Sequence, residues 1–189
     1  VKPQYRSSVG GVQPPSPISG TPRTKPRGGL GPLDPKELGR RSHSAIARAA
    51  ELGIADDEVA LRELARSVWP VDEALIHRLA VRRRIESDLL AFFRSFRRGP
   101  EWEYVGDEVP VGACHLDLLW RRAIDGRLEA DDIKTGLGPT RQAMERQARR
   151  QLRAALSDLG QRFHAVRVCT LGDPRRSLTL SVADLEERS

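Results

Sequence analysis

The sequence predicts an α/β fold: a mixed β-sheet flanked by helices, with a helical region ahead of it and a disordered tail at the N-terminus. Three observations lead there. Apolar residues recur at helical spacing from residue 34 to about 96, then change to a strand-like period between 101 and 134. A helical arc follows from about 139 to 159, and two further strand candidates close the chain. Helices, a β-meander, one helix and more β form the pattern of a sheet covered by helices. At 189 residues there is room for one domain and little more.

Residues 1–33 are rich in Pro, Gly, Ser and Thr and lack apolar periodicity, which predicts a disordered tether. They hold Lys2, Arg6, Arg23, Lys25 and Arg27 and no acid, so the tail carries +5. The chain totals +6, which leaves the body 6 − 5 = +1. Bulk charge therefore says little about a nucleic-acid groove in the body. No apolar run approaches the roughly 18 residues that span a bilayer. The N-terminus has no apolar segment of the secretory kind, so the expectation is a cytoplasmic protein without a membrane. Cys114 and Cys169 lie in apolar, strand-like runs and read as buried free thiols.

A single domain is expected over 34–189. It opens at Asp34-Pro35-Lys36-Glu37, where Asp at N-cap, Pro at N1 and Glu at N3 start a helix that runs to about Leu52. A short helix over about Asp57–Ser67 reads as an insertion near 54–70, and Pro70 breaks the chain. The next helix is expected from about Val71 to Phe96. Its apolar stripe is Leu75, Leu79, Leu89, Leu90 and Phe93, with Glu86 inside it. That carboxylate either supports a site or pairs with an arginine. Strands follow at about 101–111, 113–121 and 128–134, with turns at Gly112 and Asp125-Gly126. The helix over about 139–159 has its apolar arc at Met144, Ala148, Leu152, Ala155 and Leu159, ends at Gly160, and precedes strands at 163–171 and 177–182. Trp69, Trp102 and Trp120 read as core anchors.

The chemistry is concentrated in His115-Leu116-Asp117-Leu118-Leu119-Trp120 and Asp131-Asp132-Ile133-Lys134-Thr135-Gly136. Residues two apart on a strand share a face, so Asp132 and Lys134 project together. The turn at Asp125-Gly126 brings the Asp117 strand alongside. Two carboxylates and the Ile133 carbonyl offer oxygen ligands to a hard cation, Mg²⁺ or Mn²⁺. Lys134 can orient an attacking water or steady charge on a phosphate. Asp117 lies within an apolar run, where a merely solvated carboxylate is poorly placed. A register error of one would exchange Asp131 for Asp132.

Asp117 followed by Asp132-Ile133-Lys134-Thr135-Gly136 resembles the "D … (D/E)-x-K-T-G" signature of the PD-(D/E)XK nuclease superfamily, in its RecB-like, Cas4-like branch. Gly39-Arg40-Arg41-Ser42-His43 is similar to the branch's "G-x-x-x-H" helix, and the resemblance implies His43 as a further metal ligand. Gln151-Leu152-Arg153-Ala154-Ala155 stands where the branch has "Q-L-x-x-Y", with Ala155 in place of the tyrosine. Over about 37–171 the resemblance implies a restriction-endonuclease-like core. It also implies a Mg²⁺- or Mn²⁺-dependent nuclease acting on nucleic acid, DNA favoured over RNA, with a place in a larger DNA-processing complex left open. Asp117, Asp132, Lys134 and Gln151 would be catalytic; His43, Asp117, Asp132 and Ile133 would hold the metal.

Plainer readings stand beside these. His43 shares a helix face with Ile46, Ala47 and Ala50 and could be a packed histidine. His77, His115 and His164 have no partner spacing. The runs Arg82–Arg84 and Arg146–Arg150 read as solvated helix faces, although Arg146, Arg149, Arg150 and Arg153 could also track a phosphate backbone. No Cys/His zinc spacing and no phosphate-binding glycine loop occurs. The alternative function is a nuclease-fold module that binds nucleic acid or a protein without cutting.

Overall fold

A computed structural model describes residues 34–68, 75–136 and 138–186. The expected tail, Trp69 and residues 71–74 at the start of the third helix lie outside them, and so does the His77 side chain.

Helix α1 spans Pro35–Glu51 and begins as its sequence dictates: Asp34 is the N-cap, and its carboxylate accepts from the Lys36 backbone N–H at 3.0 Å. Helix α2 spans Glu58–Ser67, capped by Asp57 on the N–H groups of Val59 and Ala60. Helix α3 spans Leu75–Phe96. Strands β1 (Trp102–Val111), β2 (Cys114–Arg122) and β3 (Leu128–Lys134) form the expected meander. Helix α4 (Arg141–Leu159) starts at a Thr140 cap and stops at Gly160, whose φ of 75° is unfavourable for any residue with a Cβ. Strands β4 (Phe163–Thr170) and β5 (Leu178–Ser181) and a last turn of helix α5 (Ala183–Glu186) complete the order.

The five strands lie in the order β1-β2-β3-β4-β5. Only β3 and β4 run parallel, because α4 carries the chain back between them; the other neighbours are antiparallel. The sheet is therefore mixed and has helices on both faces, the α/β arrangement expected from the sequence. One core layer joins Ile46, Ile85, Leu89 and Phe92 of the first three helices to Leu118, Trp120 and Ile133 of the sheet. The other joins Met144, Ala148, Leu152 and Ala155 of α4 to Leu119, Ala130, Val166 and Val168. No helix among the described residues is long and apolar enough to cross a membrane.

The buried face of α3 keeps Leu89 and Phe93 of the expected stripe but is rotated away from Leu79. Leu79 is 43% exposed, and the buried line is Val81, Ile85, Leu89, Phe92, Phe93 and Phe96. The carboxylate on that line is Asp88, which accepts from Ser42 Oγ at 2.7 Å and from Arg84 Nε at 3.0 Å. Glu86 points aside and pairs with Arg62 at 3.0 Å, the arginine partnership named above. The stripe is displaced because α1 and α2 both pack on α3, and their positions decide which part of its broad apolar surface is covered. Trp102 and Trp120 do pack in the core. Cys169 is buried and free, and burial pushes its thiol up; Cys114 is free but only half-buried, near the β1–β2 turn.

Candidate metal centre

Three pieces of chain meet at the ends of β2 and β3. The ladder between these strands pairs Leu118 with Asp131, and one step further along the same register Asp117 stands beside Asp132. Period two then separates the two adjacent aspartates of β3. Asp131 turns to the α3 side and is fully buried between Arg98 at 2.7 Å and Arg167 at 2.8 Å. Asp132 turns to the α4 side with Lys134, whose Nζ lies 2.6 Å from Asp132 Oδ2. The two adjacent aspartates therefore part: Asp131 belongs to an ion-pair network, and Asp132 lies where its charge acts on Asp117.

Asp132 is 2% exposed and closely held. Its Oδ1 accepts from Gln147 Nε2 at 2.9 Å and from Gln151 Nε2 at 3.0 Å. Gln151 also donates to the His115 carbonyl at 3.0 Å, tying α4 to β2. Oδ2 receives no well-angled hydrogen bond; its contact with the Lys134 ammonium is an ion pair only. A buried carboxylate oxygen short of donors is suited to a cation. On the neighbouring strand Asp117 Oδ2 accepts from the Ile133 backbone N–H at 2.6 Å. Burial first, and then the charge of Asp132, push the Asp117 carboxyl up to about 7.

Helix α1 supplies the third piece. A Cβ on Gly39 would lie 3.1 Å from Thr135 Oγ1, so the absent side chain lets the helix approach the end of β3. One turn later, on the same face, His43 Nδ1 comes within 3.6 Å of Asp117 Oδ2. Burial, and secondarily the Lys134 charge, hold the His43 imidazole below its ordinary pKa, so it is neutral and able to ligate. The Gly-to-His spacing and the Lys-Thr-Gly run therefore act through one contact.

One residue was missed by reading the sequence. Glu108 of β1 has φ +46°, the one positive φ outside glycine among the described residues. The pairs Asp107↔Leu118 and Val109↔Leu116 flank it, which sets Glu108 across from Asp117. Ligand atoms of His43, Glu108 and Asp117 all lie within 4.8 Å of one another. Two carboxylates opposed across strands repel, and a left-handed backbone at a glutamate is strained; both are costs that a cation between them would offset. The sequence carried no sign of this, because Glu108 is one of several acids in an exposed strand.

His43, Glu108, Ile133 and Lys134 open on a cleft of about 460 Å³, also lined by Gly39 and Pro139. His115 and His164 stand outside the cluster, the first of them exposed.

Comparison with known proteins is sparse. No family model matches the chain, and no curated protein matches it. Among solved structures, the crystal structure of a repair endonuclease from Pyrococcus abyssi is similar at 14% identity and a TM-score of 0.34. That match covers 55% of this chain, which spans 40% of the length of the archaeal one.

Proposed function

We infer that the protein is a divalent-metal-dependent nuclease of PD-(D/E)XK type that hydrolyses phosphodiester bonds of nucleic acid, DNA in the first instance. The observation that carries the reading is the pairing of His43 with Asp117 and of Lys134 with Asp132, with His43 and Lys134 lining one cleft. The donor set suits Mg²⁺ or Mn²⁺: hard carboxylate oxygens, one neutral imidazole, and a buried oxygen on Asp132 short of hydrogen bonds. His43, Glu108, Asp117, Asp132 and the Ile133 carbonyl would hold the ion. Bound there, it would supply Lewis acidity and neutralise charge on the phosphodiester.

The chain's own groups have separable tasks in this reading. Lys134, half-buried beside Asp132, presents an ammonium to a non-bridging phosphate oxygen or orients the attacking water. Asp132 fixes that ammonium. Gln147 and Gln151 fix Asp132 in turn, so both glutamines are positioning residues. Ala155, where the branch has tyrosine, is fully buried against the sheet and supplies packing only.

The test is cleavage of labelled linear, circular and single-stranded DNA with and without Mn²⁺, by the purified protein and by Asp132→Asn and Lys134→Met variants. Both variants should fold and lose cutting by about a hundred- to a thousandfold, the scale of removing one preorganised electrostatic group. Cutting at the parental rate by Asp132→Asn refutes the assignment. A second reading, a module that binds without cutting, is favoured by one observation: Asp132 already has Gln147, Gln151 and Lys134 as partners. It predicts no Mn²⁺ heat that depends on Asp117 or Asp132 in calorimetry.

A further inference from the structure

Beside the cleft, the outer face of α4 holds an arginine groove that metal chemistry leaves unexplained. The helix has five arginines against Glu145 and Asp158, 5 − 2 = +3. Two of the arginines are engaged: Arg141 pairs with Glu145 at 3.2 Å, and Arg149 donates to the Asp184 carbonyl at 3.2 Å. Asp158 accepts from the Gly112 backbone N–H. The exposed Arg146, Arg150 and Arg153 meet no carboxylate among the described residues. Elsewhere the exposed arginines of the body commonly pair, as Arg48 does with Glu51, Arg94 with Glu58 and Arg121 with Glu103.

Spacings of four and three put Arg146, Arg150 and Arg153 in one stripe, where like charges a turn apart destabilise a helix. With Pro139, Ala143 and Gln147 they line a groove of about 560 Å³. Two residues join this groove to the candidate site. Pro139 lines both the groove and the cleft, and Gln147 reaches from the groove to Asp132 Oδ1. At 1.5 Å per residue the stripe runs roughly 10 Å, about three phosphate-to-phosphate steps along one strand.

We propose that this groove is the path of a nucleic-acid backbone running from the cleft along α4, with Arg146, Arg150 and Arg153 each facing a phosphate and Gln147 at the junction. The inference rests on the nuclease reading for its ligand. Its test does not depend on cutting. Glutamine keeps the helix propensity of arginine, so the triple variant Arg146→Gln/Arg150→Gln/Arg153→Gln should fold.

Binding of fluorescein-labelled 20-nucleotide single strands and 20-base-pair duplexes is measured by anisotropy, with the full chain, in EDTA, over a salt series. The plot of log K against log salt should flatten by about 2–3, the amount for three lost phosphate contacts, with affinity down at least about tenfold near 0.1 M salt. A control variant, Arg48→Gln/Arg94→Gln/Arg121→Gln, changes net charge equally and should keep the parental slope. Mn²⁺ affinity measured without nucleic acid should be unchanged in the groove variant, so failure of the metal reading would register separately. An unaltered slope in the groove variant, or an equal loss in the control, overturns the proposal.

Discussion

Replacing Glu108 with asparagine should make the metal-free protein more stable and its metal binding weaker. The perturbation acts on two features at once. At φ +46° the backbone is left-handed, which costs a glutamate about 1 kcal/mol and asparagine distinctly less. The substitution also removes a carboxylate facing Asp117 across the β1–β2 ladder, and relief of that repulsion adds to the gain. For a domain of this size a gain of about 1 kcal/mol raises Tm by about 2–4 °C. Against this, one of the three side chains of the His43–Glu108–Asp117 cluster loses its charge and reach. Even residues that only support metal ligands cost about 10–100-fold in affinity when changed, so Mn²⁺ binding should weaken at least about tenfold. Thermal unfolding in EDTA reads the first effect, and Mn²⁺ calorimetry reads the second. A lower Tm in EDTA would show that Glu108 is an ordinary structural residue and that the strain argument is wrong. An unchanged Mn²⁺ affinity would remove it from the ligand set even if Tm rose.

Two further outcomes follow from the same geometry. Asp131→Asn breaks a buried carboxylate's pairing with Arg98 and Arg167 and should cost about 3–5 kcal/mol, read in urea unfolding; a change under 1 kcal/mol would contradict the network. The Asp117 carboxyl, raised from its ordinary 3.8 to about 7, contributes stability to the metal-free protein below about pH 4 and loses it as pH rises through 7. Mn²⁺ needs the ionised form, so its affinity should climb about thirtyfold between pH 5.5 and 8, and a flat profile would deny Asp117 a ligand role.

Local rules carried much of this protein. The cap at Asp34, the stop at Gly160 and the turn at Asp125-Gly126 act within a few residues, so α1, α2, α4 and the five strands lie close to their expected spans, whereas α5 had no counterpart among the elements expected from the sequence. Period two in β3 was enough to project Asp132 and Lys134 to one side. The position of Gln151 on the α4 arc was enough to turn it toward the sheet. Conformation at short range depends on neighbours in the chain, and those can be read from it.

Only the tertiary structure decided which groups meet across the chain. The register between β2 and β3 put Asp132 rather than Asp131 on the side where its charge acts on Asp117. The packing of α1 and α2 selected which apolar line of α3 is buried, exposing Leu79 and burying Asp88. The position of Glu108 depends on a ladder that shifts register between Tyr104 and Gly106, and no residue type announces such a shift. The separation of the α4 arginines into ones that pair and ones that do not among the described residues depends on where Glu145 and the Asp184 carbonyl come to lie. Long-range pairing is set by the sum of many packing contacts, so residues that look equivalent along the chain acquire different surroundings.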